Sequence, residues 1–247
     1  MDDNNEKERT KENLENNKKK KQISLKSFIL ICIIVVVFVV GIILSTITKK
    51  LSCYYSHRTG IMQQPIDKPI IYLYPQEATE ISIYLGNPEK ITCTYPDYKN
   101  GWHVIANPDG TLIDTNTGRK LYSLYWEGVQ NETVDLEEGF VVAGKDSIKF
   151  LEEKLAILGL NEVESEEFII YWLPKLQENK YNYIRFATMD EINKIMPLEF
   201  SVEPDTLIRI LMQYKALDNY IEVDEQILET PERTGFVALE WGGTEIK

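Results

Sequence analysis

Apolar residues run from Phe28 to Ile47 without one charged side chain. As a helix rising 1.5 Å per residue, such a run is about 30 Å long, which matches the hydrocarbon core of a bilayer. The pattern predicts a transmembrane helix over residues 28–48. The run is longer than the apolar core of about 7–15 residues in a cleaved signal peptide, and Lys49 and Lys50 follow it directly. A lipid anchor on Cys53 would need an aliphatic residue where Lys50 stands. A soluble core helix of this length would show a polar stripe. Lys18 to Lys21 and Lys26 precede the run, while Lys49, Lys50 and Arg58 are the only basic residues close behind it. Basic residues favour the cytoplasmic side. The expectation is a single-pass, signal-anchored protein with a cytoplasmic N-terminus, its C-terminal domain outside the cell membrane and the lipid bilayer as a partner.

Beyond residue 68 the hydrophobic period becomes two. Ile70 to Tyr74 is a β-type run between prolines, and Thr79 to Leu85 alternates cleanly, with Ile81, Ile83 and Leu85 on one face. Ile91, Cys93 and Tyr95 continue that alternation, and Gly101 to Ala106 and Leu121 to Glu127 read as further strands. Asn107-Pro108-Asp109-Gly110 and Asn116-Thr117-Gly118 have turn chemistry. After Phe140 to Val142 the period becomes helical. Ser147 is placed to cap a helix to Leu158 that Gly159 stops, with Ile148, Leu151, Leu155 and Leu158 as its apolar stripe. Asn161 to Glu167 reads as a short helical turn. Phe168 to Leu173 (FIIYWL) is apolar at every position and reads as a central strand. Tyr181 to Phe186 is a strand, Met189 to Met196 a short helix, and Leu207 to Tyr214 and Phe236 to Trp241 are strands.

The fold class expected is α+β: one transmembrane helix, then a β-dominated extracytoplasmic domain, an antiparallel sheet or sandwich with one main helix. Residues 1–27, rich in Asn, Lys and Glu, read as a disordered cytoplasmic tail. Residues 49–68 read as a linker, and 69–247 as the domain, divisible into 69–142 and 143–247.

Charge narrows the partners. The 247 residues carry a formal net charge of −12. Residues 1–47 hold eight basic and six acidic side chains, so the remainder carries 19 basic and 33 acidic ones. So acidic a domain excludes nucleic acid, whose phosphates require a basic surface. Three cysteines, Cys32, Cys53 and Cys93, are too few for a disulfide scaffold, although Cys53 and Cys93 could pair.

Candidate chemistry is sparse. His57 and His103 are the only histidines, and no HExxH, paired-cysteine, G-x-S-x-G or glycine-rich phosphate motif occurs. No metal site and no cofactor are implied. Asp114 to Gly118 has oxygens at alternate positions but lacks the glutamate of a calcium loop and reads as a turn. The most suggestive pair is Glu127 and Glu240. Each ends a strand, adjoins a tryptophan (Trp126, Trp241) and stands close before glycine. A glycosidase needs two carboxylates across a cleft with rings to stack on sugars. Tyr95, Tyr98, Trp102, Tyr125, Trp126 and Trp241 are the candidate binding rings. The blander reading is an ion pair between Glu240 and Arg209, which interrupts an apolar strand.

The segments KPIIYLYP (68–75), TYPDYKNGW (94–102), PDG (108–110), LYWEG (124–128), YWLP (171–174), YNYIRF (181–186) and EWGG (240–243) together resemble a functionally uncharacterised family of bacterial envelope proteins. The resemblance spans nearly all of residues 68–243. It implies one recurrent domain, often found behind an export signal or membrane anchor, and no activity, ligand or catalytic residue.

The function expected is binding of envelope glycan, peptide or an envelope protein through the aromatic face. The alternatives are an envelope glycan hydrolase using Glu127 and Glu240, and a structural subunit of a membrane complex. Carboxyls about 5–10 Å apart across an open cleft would favour hydrolysis. Arginine contact in a closed core would remove it.

Overall fold

The computed structural model describes residues 63–131, 134 and 136–246. The first described strand is β1 (Gln64–Tyr74), whose run from Ile70 to Leu73 is buried. Successive side chains of a strand point to opposite faces. Ile71 and Leu73 therefore join one apolar cluster, and Ile70 and Tyr72 another. A strand apolar on both faces belongs inside a layered structure, and β1 lies within an eight-stranded sheet.

The other strands are β2 (Thr79–Leu85), β3 (Ile91–Tyr95), β4 (Trp102–Ala106), β5 (Leu112–Asp114), β6 (Lys120–Leu121), β7 (Leu124–Gln130), β8 (Glu138–Ala143), β9 (Tyr181–Phe186), β10 (Leu198–Phe200), β11 (Thr206–Leu217), β12 (Asp224–Glu225) and β13 (Val237–Glu245). The helices are α1 (Ser147–Ile157), α2 (Glu162–Gln177) and α3 (Met189–Ile195). The large sheet has the order β12-β8-β9-β11-β13-β1-β7-β3, and a five-stranded sheet the order β10-β2-β4-β5-β6. One core lies between the two sheets, with Ile192, Ile195 and Met196 of the α3 region closing it. The second lies on the opposite face of the large sheet, under Leu151 and Leu155 of α1 and Phe168, Trp172 and Leu176 of α2. Gly243 lets α2 come close: a Cβ there would stand 2.6 Å from the Trp172 ring.

Several expectations are corrected. The described region is β-rich with three helices, not a domain with one main helix. Its large sheet is mixed, since β11 runs parallel to β13. Strands from both 69–142 and 143–247 share that sheet, so the two halves do not separate. The strand β1 begins at Gln64, inside the stretch read as linker. The run FIIYWL is helix: α2 continues through it from the Asn161 cap, where Asn161 and Glu164 form a reciprocal capping box. Phe168, Trp172 and Leu176 recur every four residues on its buried face, while Ile170 is 67% exposed. Ser147 does not cap α1; Asp146 holds that position without a side-chain bond, and Ile148 faces solvent. Gly159 stops α1 as expected, with φ of +86°.

The membrane, single-pass and signal-anchor expectations are also corrected. The three helices span 11, 16 and 7 residues, and none among the described residues is long and apolar enough to cross a membrane. The apolar run 28–48 and the tail 1–27 lie outside the described residues.

Candidate functional site

A cleft of about 520 Å³ opens on the helix side of the large sheet, where β1, β7 and β3 lie side by side. Its floor follows from strand register. Ile70 of β1 stands opposite Tyr125 of β7, which stands opposite Tyr95 of β3. Residues paired across strands share a face, so the three side chains form a row. Two residues on, Glu127 continues the same face opposite Cys93, an exposed free thiol. Tyr122 enters from the turn before β7, and Tyr171 overhangs from α2.

The cations of the cleft are Lys68 and Lys120. Lys68 arrives through a bulge. The register of β1 slips against both neighbours between Ile66 and Ile70, and Lys68 takes φ of +60°. A bulge re-aims the side chains around it. Asp67 accordingly reaches α2, 2.9 Å from Lys175 Nζ, and Lys68 Nζ sits 5.4 Å from the centre of the Tyr171 ring. Lys175 lies over the same ring at 4.5 Å and donates to the Tyr171 hydroxyl at 3.3 Å.

Burial pushes the Tyr125 hydroxyl up, and its hydrogen bond to the Glu127 carboxylate pushes it further. Tyr122 rises through burial and the charge of Glu167. Tyr72, behind Tyr122, rises through burial and its bond to the same Glu167. A carboxylate beside a phenol stabilises the protonated ring oxygen. These hydroxyls thus remain donors at neutral pH.

Of the residues singled out from the sequence, Tyr95, Tyr125 and Glu127 line the cleft. The others do not. Tyr98 is buried, packs edge-on against Trp102 at 5.0 Å, and its hydroxyl accepts from the Leu85 N–H at 2.7 Å. Trp102 is 2% exposed and donates to the Pro96 carbonyl at 2.9 Å. Trp241 is fully buried against Phe168. Trp126 faces the inter-sheet core and donates its indole N–H to Glu240 Oε1 at 2.8 Å.

Glu240 is therefore on the opposite side of the sheet from Glu127. It is 4% exposed. Arg209 Nε donates to its Oε2 at 2.7 Å, and Arg209 Nη2 lies 2.6 Å from the same oxygen without the alignment of a hydrogen bond. Arg209 Nη1 donates to Asn193 Oδ1 of α3 at 2.7 Å. The two glutamates proposed as catalytic are thus separated by the sheet itself, and one is held in an ion pair inside a closed core.

Two further constellations resolve locally. Ser82 Oγ and His103 Nδ1 lie 2.8 Å apart across β2 and β4, on the outer face of the small sheet, and no described acid completes a triad. Asp114 accepts from Asn116 N–H at 2.9 Å and Thr117 Oγ1 at 2.6 Å, so both its oxygens serve the turn. Among the described residues, no cluster of three or more His, Cys, Asp and Glu side chains is placed to hold a metal ion.

Sequence reasoning missed Lys68, Lys120, Tyr122 and Tyr171. Tyr122 lies with Tyr125 inside the aromatic run LYSLYWE, which was a usable signal. Tyr171 was hidden by the strand assignment of FIIYWL, and Lys68 by its place at the end of a supposed linker.

No family model matches the chain, and no solved structure matches it. A stretch of 64 residues is 42% identical to a protein of Butyrivibrio fibrisolvens described as "Uncharacterized protein in bglA 3'region". That stretch is 25% of this chain and covers 65% of the relative, so the chain spans just under two thirds of the relative's length.

Proposed function

We propose that the protein binds a saccharide in the tyrosine cleft without hydrolysing it. One observation carries this reading: four tyrosines, Tyr95, Tyr122, Tyr125 and Tyr171, surround a single open cleft of about 520 Å³. Pockets of about 300–1,000 Å³ with a few convergent polar groups suit small ligands. A pyranose presents C–H groups on its faces and hydroxyls around its rim. Aromatic rings accept the faces, and phenol, ammonium and carboxylate groups meet the rim. Binding rather than hydrolysis follows from the count of acids. A glycosidase needs two carboxyls flanking one bond, and Glu127 is the one carboxylate lining the cleft.

The test is an oligosaccharide array probed with the full chain, followed by calorimetric titration of the best ligand. Tyr125→Ala and Tyr95→Ala should each weaken binding about tenfold or more, the usual result of truncating a buried aromatic anchor. Circular dichroism of both variants should match the parent. The reading is overturned if no saccharide binds, if Tyr125→Ala binds as tightly as the parent, or if a peptide array yields the ligand instead.

A further inference from the structure

We infer that the saccharide taken by the cleft carries a carboxylate, as a uronic acid does, and that the Lys68 ammonium receives it. This rests on the saccharide reading above and adds the chemical class.

The local charge runs against the whole. The chain has a formal net charge of −12, yet Lys68 and Lys120 line the cleft against one lining carboxylate, Glu127, with Glu167 behind it against the Tyr72 and Tyr122 hydroxyls. Arg119 adds a third cation beside it, 5.8 Å from the centre of the Tyr95 ring. Glu127 is engaged with the neighbouring Tyr125 hydroxyl. An acidic protein with a cationic cleft attracts anions to that spot and repels them elsewhere.

Lys68 differs from Lys175, which shares the Tyr171 ring and has Asp67 at 2.9 Å. Among the described residues, Lys68 has no carboxylate within ion-pair distance. Asp67, its chain neighbour, is taken by Lys175. What Lys68 has is the face of Tyr171, a contact that holds an ammonium in place without neutralising it.

The backbone points the same way. Lys68 sits in the left-handed region, at φ of +60°, within β1 between the buried Ile66 and Pro69. Glycine adopts that conformation freely, whereas a residue with a side chain is disfavoured there. Strain of this kind gathers at ligand clamps. Here it turns a cation into a cleft, where glycine would have served the bulge alone. A sugar carboxylate fits this donor set. One oxygen takes the ammonium, and the other reaches a protonated tyrosine hydroxyl, while the ring stacks on the tyrosines. Phosphate and sulfate are recognised better by arginine forks or backbone nests, and no arginine lines the cleft.

The experiment uses matched oligosaccharides that differ only at C6: β-1,4-linked glucose trimers and their glucuronate forms, and the galactose and galacturonate pair, with a 6-sulfated trimer alongside. Binding to the full chain is measured by calorimetry. The uronate member of the accepted pair should bind about tenfold tighter in dilute buffer, and the ratio should shrink as salt rises to about 0.5 M. Lys68→Met should bring the uronate down to the affinity that the same variant shows for the neutral trimer, so that the ratio between the two falls to about one. Lys68→Gly should lose the same preference while unfolding at an equal or higher denaturant concentration, which separates loss of the cation from loss of the fold. Equal binding of both members overturns the inference and leaves the saccharide reading standing. So does a Lys68→Met variant that keeps the preference, or a ligand bound only when sulfated. If no trimer of either series binds, both fall together.

Discussion

The sequences Trp126-Glu127-Gly128 and Glu240-Trp241-Gly242 hold the same residue types with the first two in opposite order. That order decides everything about them. In β7 the tryptophan faces the inter-sheet core and the glutamate faces the cleft. In β13 the tryptophan faces the helices and the glutamate faces the inter-sheet core. Trp126 and Glu240 consequently meet and hydrogen-bond through one layer, while Glu127 stands half-exposed on the other side. A buried carboxylate needs a cation and further donors to offset its lost hydration. Glu240 has Arg209 and the Trp126 indole, whereas Glu127 has a tyrosine and an open cleft. The contrast separates a carboxylate that specifies packing from one that lines an open cleft.

The contrast breaks most easily at Glu240 itself. Glu240→Ala leaves the Arg209 guanidinium buried without its acid and should cost about 3–5 kcal/mol. Glu127→Ala should cost no more than about 1 kcal/mol. Urea unfolding measures both, and equal losses would erase the distinction between the two faces. Replacing Arg209 and Glu240 together by methionine should cost less than removing Glu240 alone, because no charge is then stranded.

The aromatic neighbours sharpen the same contrast at smaller scale. Trp126→Phe keeps the ring and removes one donor to a buried charged oxygen, for an expected loss of about 1.5–3 kcal/mol. Tyr125→Phe removes a hydrogen bond at the solvent-facing cleft and should cost about 0.5–1 kcal/mol. Differential scanning calorimetry of the two variants would show the larger fall in melting temperature for Trp126→Phe. The reverse order would mean that the cleft, not the inter-sheet core, is the rigid side.

How far these roles were legible depended on locality. The alternation of Thr79 to Leu85 yields β2 with its ends correct, because one face of that strand meets water and the period shows. The helix over Ser147 to Leu158 is visible for the same reason. FIIYWL is not, since a short run that is apolar throughout carries no period. What decides it lies outside the run, in the Asn161 and Glu164 cap and the return of Leu176 four residues after Trp172. The parallel pairing of β11 with β13 joins segments about thirty residues apart and leaves no local trace. In the site, Tyr95, Tyr125 and Glu127 could be named because aromatic and acidic residues mark themselves. The separation of Glu127 from Glu240 could not, because it depends on which layer each strand's odd positions face. Lys68 could not either, because a bulge that is absent from any period puts it there.

The smallest effect tests whether the closed face extends to its rim. Glu191 of α3 accepts from Arg185 Nη1 at 3.0 Å and Nη2 at 3.1 Å, and Arg185 also donates to Gln213 Oε1 at 2.9 Å. Burial raises the Glu191 pKa, but the Arg185 hydrogen bonds and charge, with the Thr188 N–H, outweigh it and hold the carboxyl below its ordinary value of 4.5. A carboxyl lowered on folding stabilises the fold above its unfolded value, and that contribution is lost as pH falls through the folded one. The side chain is 38% exposed, so solvent screens the pair, and the contribution at neutral pH should be no more than about 1 kcal/mol. Glu191→Gln isolates the charge, because glutamine at this third helical position still completes the capping box with Thr188. The parent should be slightly more stable than Glu191→Gln at neutral pH. The gap should narrow as pH falls below 4.5 and close once pH has passed below the folded value, where the carboxyl is protonated folded or unfolded. A gap that stays constant across the acid range would place Glu191 outside the electrostatics of the closed face and confine that face to Arg209, Glu240 and Trp126.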